Sequence, residues 1–244
     1  MKLIIVNDLK AVGLRGAELV AEEIRKNQNL VLGLATGGTM IPFYKSLVNL
    51  FRKKNLSFLK VRSFNLDEYV GLNGKDKRSF RYFMDKNFFS KVDISKRNIH
   101  FLDGNAKNLY TECKNYENEI GELGGIDLQI LGIGKDGHIG FNEPGSDFNS
   151  RTREVLLRET TRRNNAKFFS GKEEKVPKKA LTMGIATIMS ARKIILLASG
   201  KSKSDAIAGA LNGEISEKAP ASVLMRHRDV AFIIDKNAAA KLRK

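Results

Sequence analysis

Cysteine, proline and long apolar runs are all scarce in this chain. Its 244 residues include one cysteine, Cys113, and four prolines. A single cysteine excludes an internal disulfide and suits a reducing compartment, so we expect a cytoplasmic protein in which Cys113 is a spare thiol. The longest apolar run, residues 194–198, is much shorter than the roughly 18 residues that a membrane helix needs. The apolar stretch Lys2–Val6 is likewise too short for a signal peptide.

Acidic residues are few compared with basic ones. The chain has 27 Asp and Glu against 43 Lys and Arg, which gives a formal net charge of +16. Such a charge suits either a nucleic acid or an anionic metabolite. The basic residues are scattered, however, and the tightest groups, Arg162-Arg163 and Lys178-Lys179, are too short to form a polybasic arm. We therefore expect a small-molecule partner, and neither a nucleic acid nor a membrane.

Short apolar runs alternate with amphipathic stretches along the whole chain. The pattern predicts strands at residues 2–6, 30–35, 59–64, 99–102, 126–133, 153–157, 193–198 and 230–234. It predicts helices at residues 14–26, from the turn at 36–39 to 52, and at 79–89, 109–123, 176–189 and 203–211. This alternation indicates an α/β fold of one domain over residues 1–244: a doubly wound, mainly parallel, Rossmann-like sheet with helices on both faces. Ligands of such folds bind at the carboxyl ends of the strands.

A turn of small residues follows the second predicted strand: Thr36, Gly37, Gly38 and Thr39. Small residues between a strand and a helix allow backbone N–H groups to approach a phosphate at the helix N-terminus. The spacing fits neither a P-loop nor a dinucleotide fingerprint. These residues alone do not distinguish a phosphate-binding turn from an ordinary tight turn.

Two acids, Asp67 and Glu68, come directly after the third predicted strand. A carboxylate at that position can face the cleft and remove a proton from a carbon next to a carbonyl. The alternative interpretation is a helix cap or two solvated acids.

The most distinctive segment follows the strongly apolar fifth strand and places Asp136, His138 and Glu143 in one loop. A histidine between two carboxylates can be oriented and held in one protonation state. The set could also bind a metal, but one histidine without a second at ligand spacing is a modest ligand set, so we expect no metal. His100 and His227 lack such neighbours and are interpreted as structural.

Two lysines could add positive charge to a phosphate site. Lys203 follows a strand and Ser199-Gly200 at the start of a predicted helix, and a helix N-terminus with a nearby ammonium binds anions. Lys167 could supply a second cation. For each lysine taken alone, the alternative interpretation is an ordinary solvated side chain on the surface.

Together these motifs resemble the glucosamine-6-phosphate deaminase family, which shares a superfamily with 6-phosphogluconolactonases. The resemblance covers nearly the whole chain, through LGLATGGT, FNLDEYVGL, NIHFLDGNA, GIGKDGHIGFNEP, VPKKALTMG and LASGKSK. The lactonase relatives have no Asn-Glu-Pro matching the one in DGHIGFNEP. The length is similar to the short bacterial form. The resemblance implies conversion of glucosamine 6-phosphate and water to fructose 6-phosphate and ammonia, without a cofactor or metal.

The family pattern implies a role for each matching residue in this sequence. Asp67 matches the base that moves a proton between C1 and C2 of the open-chain sugar. His138 matches the residue that helps to open the pyranose ring, and Asp136 and Glu143 match the acids that hold and tune that histidine.

The same resemblance implies a phosphate site made of the turn at residues 36–39 and Lys203. Lys167 stands where better-known members have an arginine. A lysine keeps the positive charge but loses the two-pronged hydrogen bonding of a guanidinium.

Departures from the long, hexameric members concern regulation. Ser146 and Arg153 match part of the second anion site through which N-acetylglucosamine 6-phosphate activates those enzymes. Val155 replaces a lysine of that site, and the chain stops before the segment that completes it. We therefore expect weak or absent activation. We also expect a monomer, although a homo-oligomer stays possible.

Other functions remain open from the sequence. One contact to the C4 hydroxyl would decide between glucosamine 6-phosphate and galactosamine 6-phosphate. The segment Asn142-Glu143-Pro144 argues against a 6-phosphogluconolactonase. A non-catalytic module that binds nucleic acid or a sugar phosphate would be favoured if Asp67 or His138 were missing, and both are present.

Overall fold

A central sheet of seven parallel strands organises the computed structural model, which describes residues 1–54 and 56–242. The strand order is β1-β10-β9-β6-β2-β3-β5. The strands are β1 Lys2–Val6, β2 Val31–Leu34, β3 Arg62–Asn65, β5 Ile99–His100, β6 Leu128–Leu131, β9 Lys193–Ala198 and β10 Val230–Asp235. The expected mainly parallel sheet is therefore confirmed. The predicted third strand begins too early, because Val61 N–H closes a turn onto the Phe58 carbonyl before β3 starts.

Seven α-helices connect and flank the strands among the described residues. They are α1 Leu9–Lys26, α2 Met40–Arg52, α3 Phe80–Asn87, α4 Leu109–Glu122, α5 Glu159–Asn165, α6 Ile185–Met189 and α7 Ser204–Asn212. Helix α1 starts five residues before its predicted beginning because the Asp8 carboxylate caps it, accepting from Ala11 N–H at 2.8 Å. Inside this helix, a Cβ on Gly13 would overlap the backbone of Pro42 and Phe43, so the glycine lets α1 and α2 pack closely.

A second, antiparallel sheet was not predicted. It consists of β4 Asp67–Tyr69, β7 Arg153–Leu156 and β8 Lys179–Thr182, with β8 in the middle. The helix predicted at residues 176–189 is therefore wrong in its first half, and only α6 is helical there. Pairing on both sides of β8 satisfies its backbone groups and overrides the helix propensity of its Lys, Ala and Leu residues.

This small sheet continues directly from the large one and thereby positions the cleft. Leu66 links β3 to β4: its N–H donates to the Leu34 carbonyl, and its carbonyl accepts from Met183 N–H. The register places Asp67 opposite Thr182. A second apolar cluster, centred on Tyr69, Phe141 and Phe169, packs beside the small sheet. In the described part of the chain, no helix combines the length and the apolar character needed to span a bilayer.

Candidate active site

A cleft of about 490 Å³ opens at the carboxyl ends of the parallel strands. Most of the residues predicted from sequence line it: Thr36, Gly37, Gly38, Thr39, Asp67, His138, Lys167 and Lys203. The lining also includes residues that the sequence analysis did not select: Phe80, Lys135, Arg163, Asn164, Asn165 and Phe168. The cleft therefore combines one buried carboxylate, one imidazole and several cations.

The turn at residues 36–39 leads into the N-terminus of α2. Gly37 has φ of +111°, which favours glycine, and the turn closes through Met40 N–H to the Gly37 carbonyl at 3.0 Å. In the part of the chain that the structure describes, no side chain caps α2. Among the described residues, the N–H groups of Gly38 and Thr39 have no hydrogen-bond partner, and a Cβ on Gly37 or Gly38 would meet nothing within 4 Å. The turn thus presents free donors to an open space, which suits an anion.

Asp67 is the first residue of β4 and is only 7% exposed. No hydrogen bond from the described residues reaches its carboxylate. Burial, and then the charge of neighbouring Glu68, raise the pKa of Asp67 to about 8. A carboxyl group with a pKa in this range can both take up and return a proton close to neutral pH.

Glu68 is buried beside Asp67 and performs a different task. Its carboxylate accepts from the backbone N–H groups of Tyr69 at 2.8 Å, Phe80 at 3.1 Å and Arg81 at 2.9 Å. Burial raises the pKa of Glu68 to about 7 even though these bonds lower it. The helix-cap interpretation of the acidic pair therefore fits Glu68, which fixes the start of α3 and places Phe80 in the cleft.

His138 is held by the loop after β6. Its Nδ1 lies 2.6 Å from Asp136 Oδ1, and its carbonyl accepts from Gly134 N–H at 2.8 Å. A Cβ on Gly134 would overlap the imidazole, so this glycine makes room for the ring. Burial raises the pKa of Asp136, but the hydrogen bond and charge of His138 outweigh it and hold that pKa down at about 2. The Asp136 carboxylate thus stays ionised and orients the ring.

Glu143 lies away from the cleft lining and contacts α5. Its carboxylate accepts from Arg158 N–H at 3.1 Å and from the Thr161 hydroxyl. Among the described residues, no hydrogen bond joins Glu143 to His138. The structure therefore places Glu143 at the N-terminus of α5, whose C-terminal end and following turn carry Asn165 and Lys167 into the cleft.

The two predicted lysines lie in the cleft in different environments. Lys203 Nζ donates to the Ile133 carbonyl at 2.6 Å. Burial, followed by the charge of Lys135, lowers the pKa of Lys203. Lys167 Nζ lies 5.0 Å from the centre of the Phe168 ring. Both lysines line the same cleft as the turn at residues 36–39.

The remaining candidates for chemistry lie outside the cleft. His100 pairs with Glu119 at 2.8 Å and stacks on Phe64, while His227 Nε2 contacts the Ala191 carbonyl at 2.8 Å. Within residues 1–54 and 56–242, no group of three or more His, Cys, Asp or Glu side chains is arranged to hold a metal ion.

Known proteins match this chain over its full length. A family model described as glucosamine-6-phosphate isomerases/6-phosphogluconolactonase matches residues 9–233. A glucosamine-6-phosphate deaminase of Clostridium botulinum is 49% identical over 243 residues, covering 100% of this chain and 99% of that protein. One from Clostridium acetobutylicum is 49% identical over 242 residues, covering 99% and 100%.

Solved structures agree with the fold. A structure described as a monomeric glucosamine-6-phosphate deaminase superposes with a TM-score of 0.96 at 46% identity, and each chain covers 100% of the other. The 6-phosphogluconolactonase of Leishmania guyanensis superposes with a TM-score of 0.76 at 19% identity, covering 100% of this chain and 99% of that one, which shows a shared fold alone. The resemblance inferred from the motifs is confirmed, and this chain belongs to the glucosamine-6-phosphate isomerase/6-phosphogluconolactonase family.

Proposed function

We propose that the protein deaminates and isomerises glucosamine 6-phosphate, producing fructose 6-phosphate and ammonia. The observation that carries the proposal is Asp67, a buried carboxyl group with a pKa near 8 in a cleft that also contains an oriented imidazole and an open helix N-terminus. Relatives named glucosamine-6-phosphate deaminase, 49% identical over the whole chain, support the same activity.

The phosphate end of the substrate belongs at the turn before α2. The free N–H groups of Gly38 and Thr39 and the ammonium groups of Lys203 and Lys167 would hold it there. Anchoring the phosphate fixes the sugar and positions the reacting carbons toward the other lining residues.

Proton transfers follow at the other end of the substrate. His138, oriented by Asp136, assists opening of the pyranose ring and exposes the C1 aldehyde. Asp67 removes the proton from C2, which the carbonyl and the ammonium group make acidic, and an enolamine forms. A proton returns to C1, leaving an iminium at C2. Water adds to C2 and ammonia departs, which leaves the ketone of fructose 6-phosphate.

Two further assignments belong to this proposal. We place the whole catalytic apparatus in one domain of a monomer, in keeping with the 46% identical structure described as monomeric. Arg153 lies on β7 and donates to Asn142 Oδ1 at 2.9 Å. This internal contact supports weak or absent activation through that arginine.

The test is a substrate panel measured by ammonia release and fructose 6-phosphate formation. Glucosamine 6-phosphate should give both products in a 1:1 ratio, and unphosphorylated glucosamine should react far more slowly. A faster reaction of galactosamine 6-phosphate would change the substrate and keep the mechanism. Absence of ammonia from both phosphorylated sugars, with folded protein, would refute the proposed activity.

A further inference from the structure

Lys135 is a cleft residue to which the family resemblance gives no role. It lies between β6 and His138, within the loop that carries Asp136, and it lines the same cleft as Lys167 and Lys203. Within the described residues, no carboxylate lies within 4.0 Å of its ammonium group. A lysine that lines a cavity without a counterion is available to bind an anion.

Three charged groups close to Lys135 have partners already. Arg163 pairs with Glu173 at 3.5 Å, and Lys203 donates to the Ile133 carbonyl. Asp136, the acid next to Lys135 in sequence, is engaged by His138 at 2.6 Å. Asp67 is the only acid in the described lining, and it is buried. The residues that the structure describes therefore do not neutralise the positive charge of Lys135.

The backbone around Lys135 is fixed on both sides. Gly134 donates to the His138 carbonyl at 2.8 Å, and Gly137 donates to the Gly134 carbonyl at 3.2 Å. Lys203 holds the carbonyl of Ile133, two residues earlier. These bonds hold the loop on both sides of Lys135, so a ligand can reach its side chain without breaking them.

Three ammonium groups around one cavity repel each other unless an anion lies between them. Lys135 and Lys167 are both close enough to Lys203 for their charges to lower its pKa. A phosphate dianion would relieve this repulsion. Lys167 alone offers a point charge without the two-pronged hydrogen bonding of an arginine, so a third cation would compensate.

We propose that Lys135 is a third phosphate-binding cation, which holds the sugar phosphate together with Lys203 and Lys167. The proposal rests on the proposed sugar-phosphate specificity of the cleft. It assigns Lys135 to binding and not to the chemical step, because the phosphate lies away from the reacting carbons.

The experiment compares Lys135→Gln, Lys135→Arg and Lys107→Gln. Lys107 is exposed and lies outside the cleft, so its variant removes the same charge from the whole molecule. Two quantities are measured for each protein: the KM and kcat of ammonia release, and the Kd of the unreactive reduced substrate, 2-amino-2-deoxyglucitol 6-phosphate, by calorimetry. The Kd does not depend on turnover, so loss of the proposed activity and loss of the proposed contact give different results.

We expect Lys135→Gln to raise KM and Kd by about five- to twentyfold, as for loss of one charged contact in a partly exposed site, with kcat within about twofold. Lys135→Arg should stay within about threefold of the wild type, and Lys107→Gln should match it. Equal Kd values for Lys135→Gln and Lys107→Gln would overturn the proposal. A fall in kcat without a rise in KM would also overturn it, because Lys135 would then act on His138 and not on the phosphate.

Discussion

Replacing Asp67 by asparagine should inactivate the enzyme and yet stabilise its fold at alkaline pH. In the folded protein the pKa of Asp67 is about 8, against an ordinary value of 3.8. The folded state therefore holds a proton that the unfolded chain releases. The stability from this group is fully present below pH 4 and is lost as the pH rises toward and through 8. Asparagine has a similar shape and no charge, so it loses nothing over this range.

The magnitude follows from the same linkage. Each pH unit between the unfolded and folded pKa values costs the wild type up to about 1.4 kcal/mol. From pH 5 to pH 8 the stability of Asp67→Asn relative to wild type should thus rise by roughly 2–4 kcal/mol. The two proteins should be similar only below about pH 4; at pH 5 the wild type should already have lost about 1.7 kcal/mol relative to Asp67→Asn, because the unfolded chain is ionised there.

Urea unfolding at pH 5 and pH 8 measures this difference, with Asp229→Asn as the matched control. Asp229 is exposed, and in the described structure its carboxylate makes no hydrogen bond. Its replacement should have the same small effect at both pH values. A stability difference for Asp67→Asn that does not grow with pH would refute the conclusion that Asp67 is buried without a partner.

Three further substitutions test neighbouring parts of the site. Gly134→Ala should lower kcat at least about tenfold with KM less affected, because the added methyl group would displace the His138 ring. Steady-state kinetics measure both constants, and circular dichroism checks that the variant is folded. A kcat equal to that of the wild type would contradict this prediction. In Glu68→Gln, the rise of kcat/KM with pH should occur at a lower pH than in the wild type, where it is expected near pH 8. The reason is that the charge of Glu68 raises the pKa of Asp67. An unchanged pH–rate profile would count against that coupling. Gly37→Ala should cost about 1–3 kcal/mol of stability through backbone strain at φ of +111°, and it should raise KM. Thermal unfolding measures the stability, and steady-state kinetics measure KM. Unchanged stability and KM would show that the turn can relax.

The central sheet and the cleft could be predicted because their signals are local. Strands such as Lys193–Ala198 are buried on both faces and appear as continuous apolar runs. The carboxyl ends of parallel strands meet at one edge, so the segments that follow them had to converge. The sequence alone therefore indicates that the turn at residues 36–39, Asp67 and His138 share one region.

The small sheet could not be predicted in the same way because its signal is not local. Strand β8 pairs with Asp67–Tyr69, more than 100 residues earlier in the chain. Its sequence, Lys-Ala-Leu-Thr, lacks the alternation of polar and apolar residues that predicts a strand. Only the assembled fold shows that tertiary pairing decides its structure.

The sequence also could not predict that the acidic residues of the site have different partners. Glu68 and Glu143 both use their carboxylates on backbone N–H groups at helix starts, at Phe80 and Arg158 respectively. A pattern of acids around a histidine does not reveal which carboxylate turns toward the ring. Only Asp136 does so in the described structure.

The most direct test of the account is the initial rate of ammonia release from glucosamine 6-phosphate at pH 8 by wild type, Asp67→Asn and Asp229→Asn. Loss of a general base should slow the reaction by about 10²–10⁴-fold in Asp67→Asn, while Asp229→Asn keeps the wild-type rate. Ammonia release by Asp67→Asn within about tenfold of the wild type would contradict the assignment of Asp67 as the base.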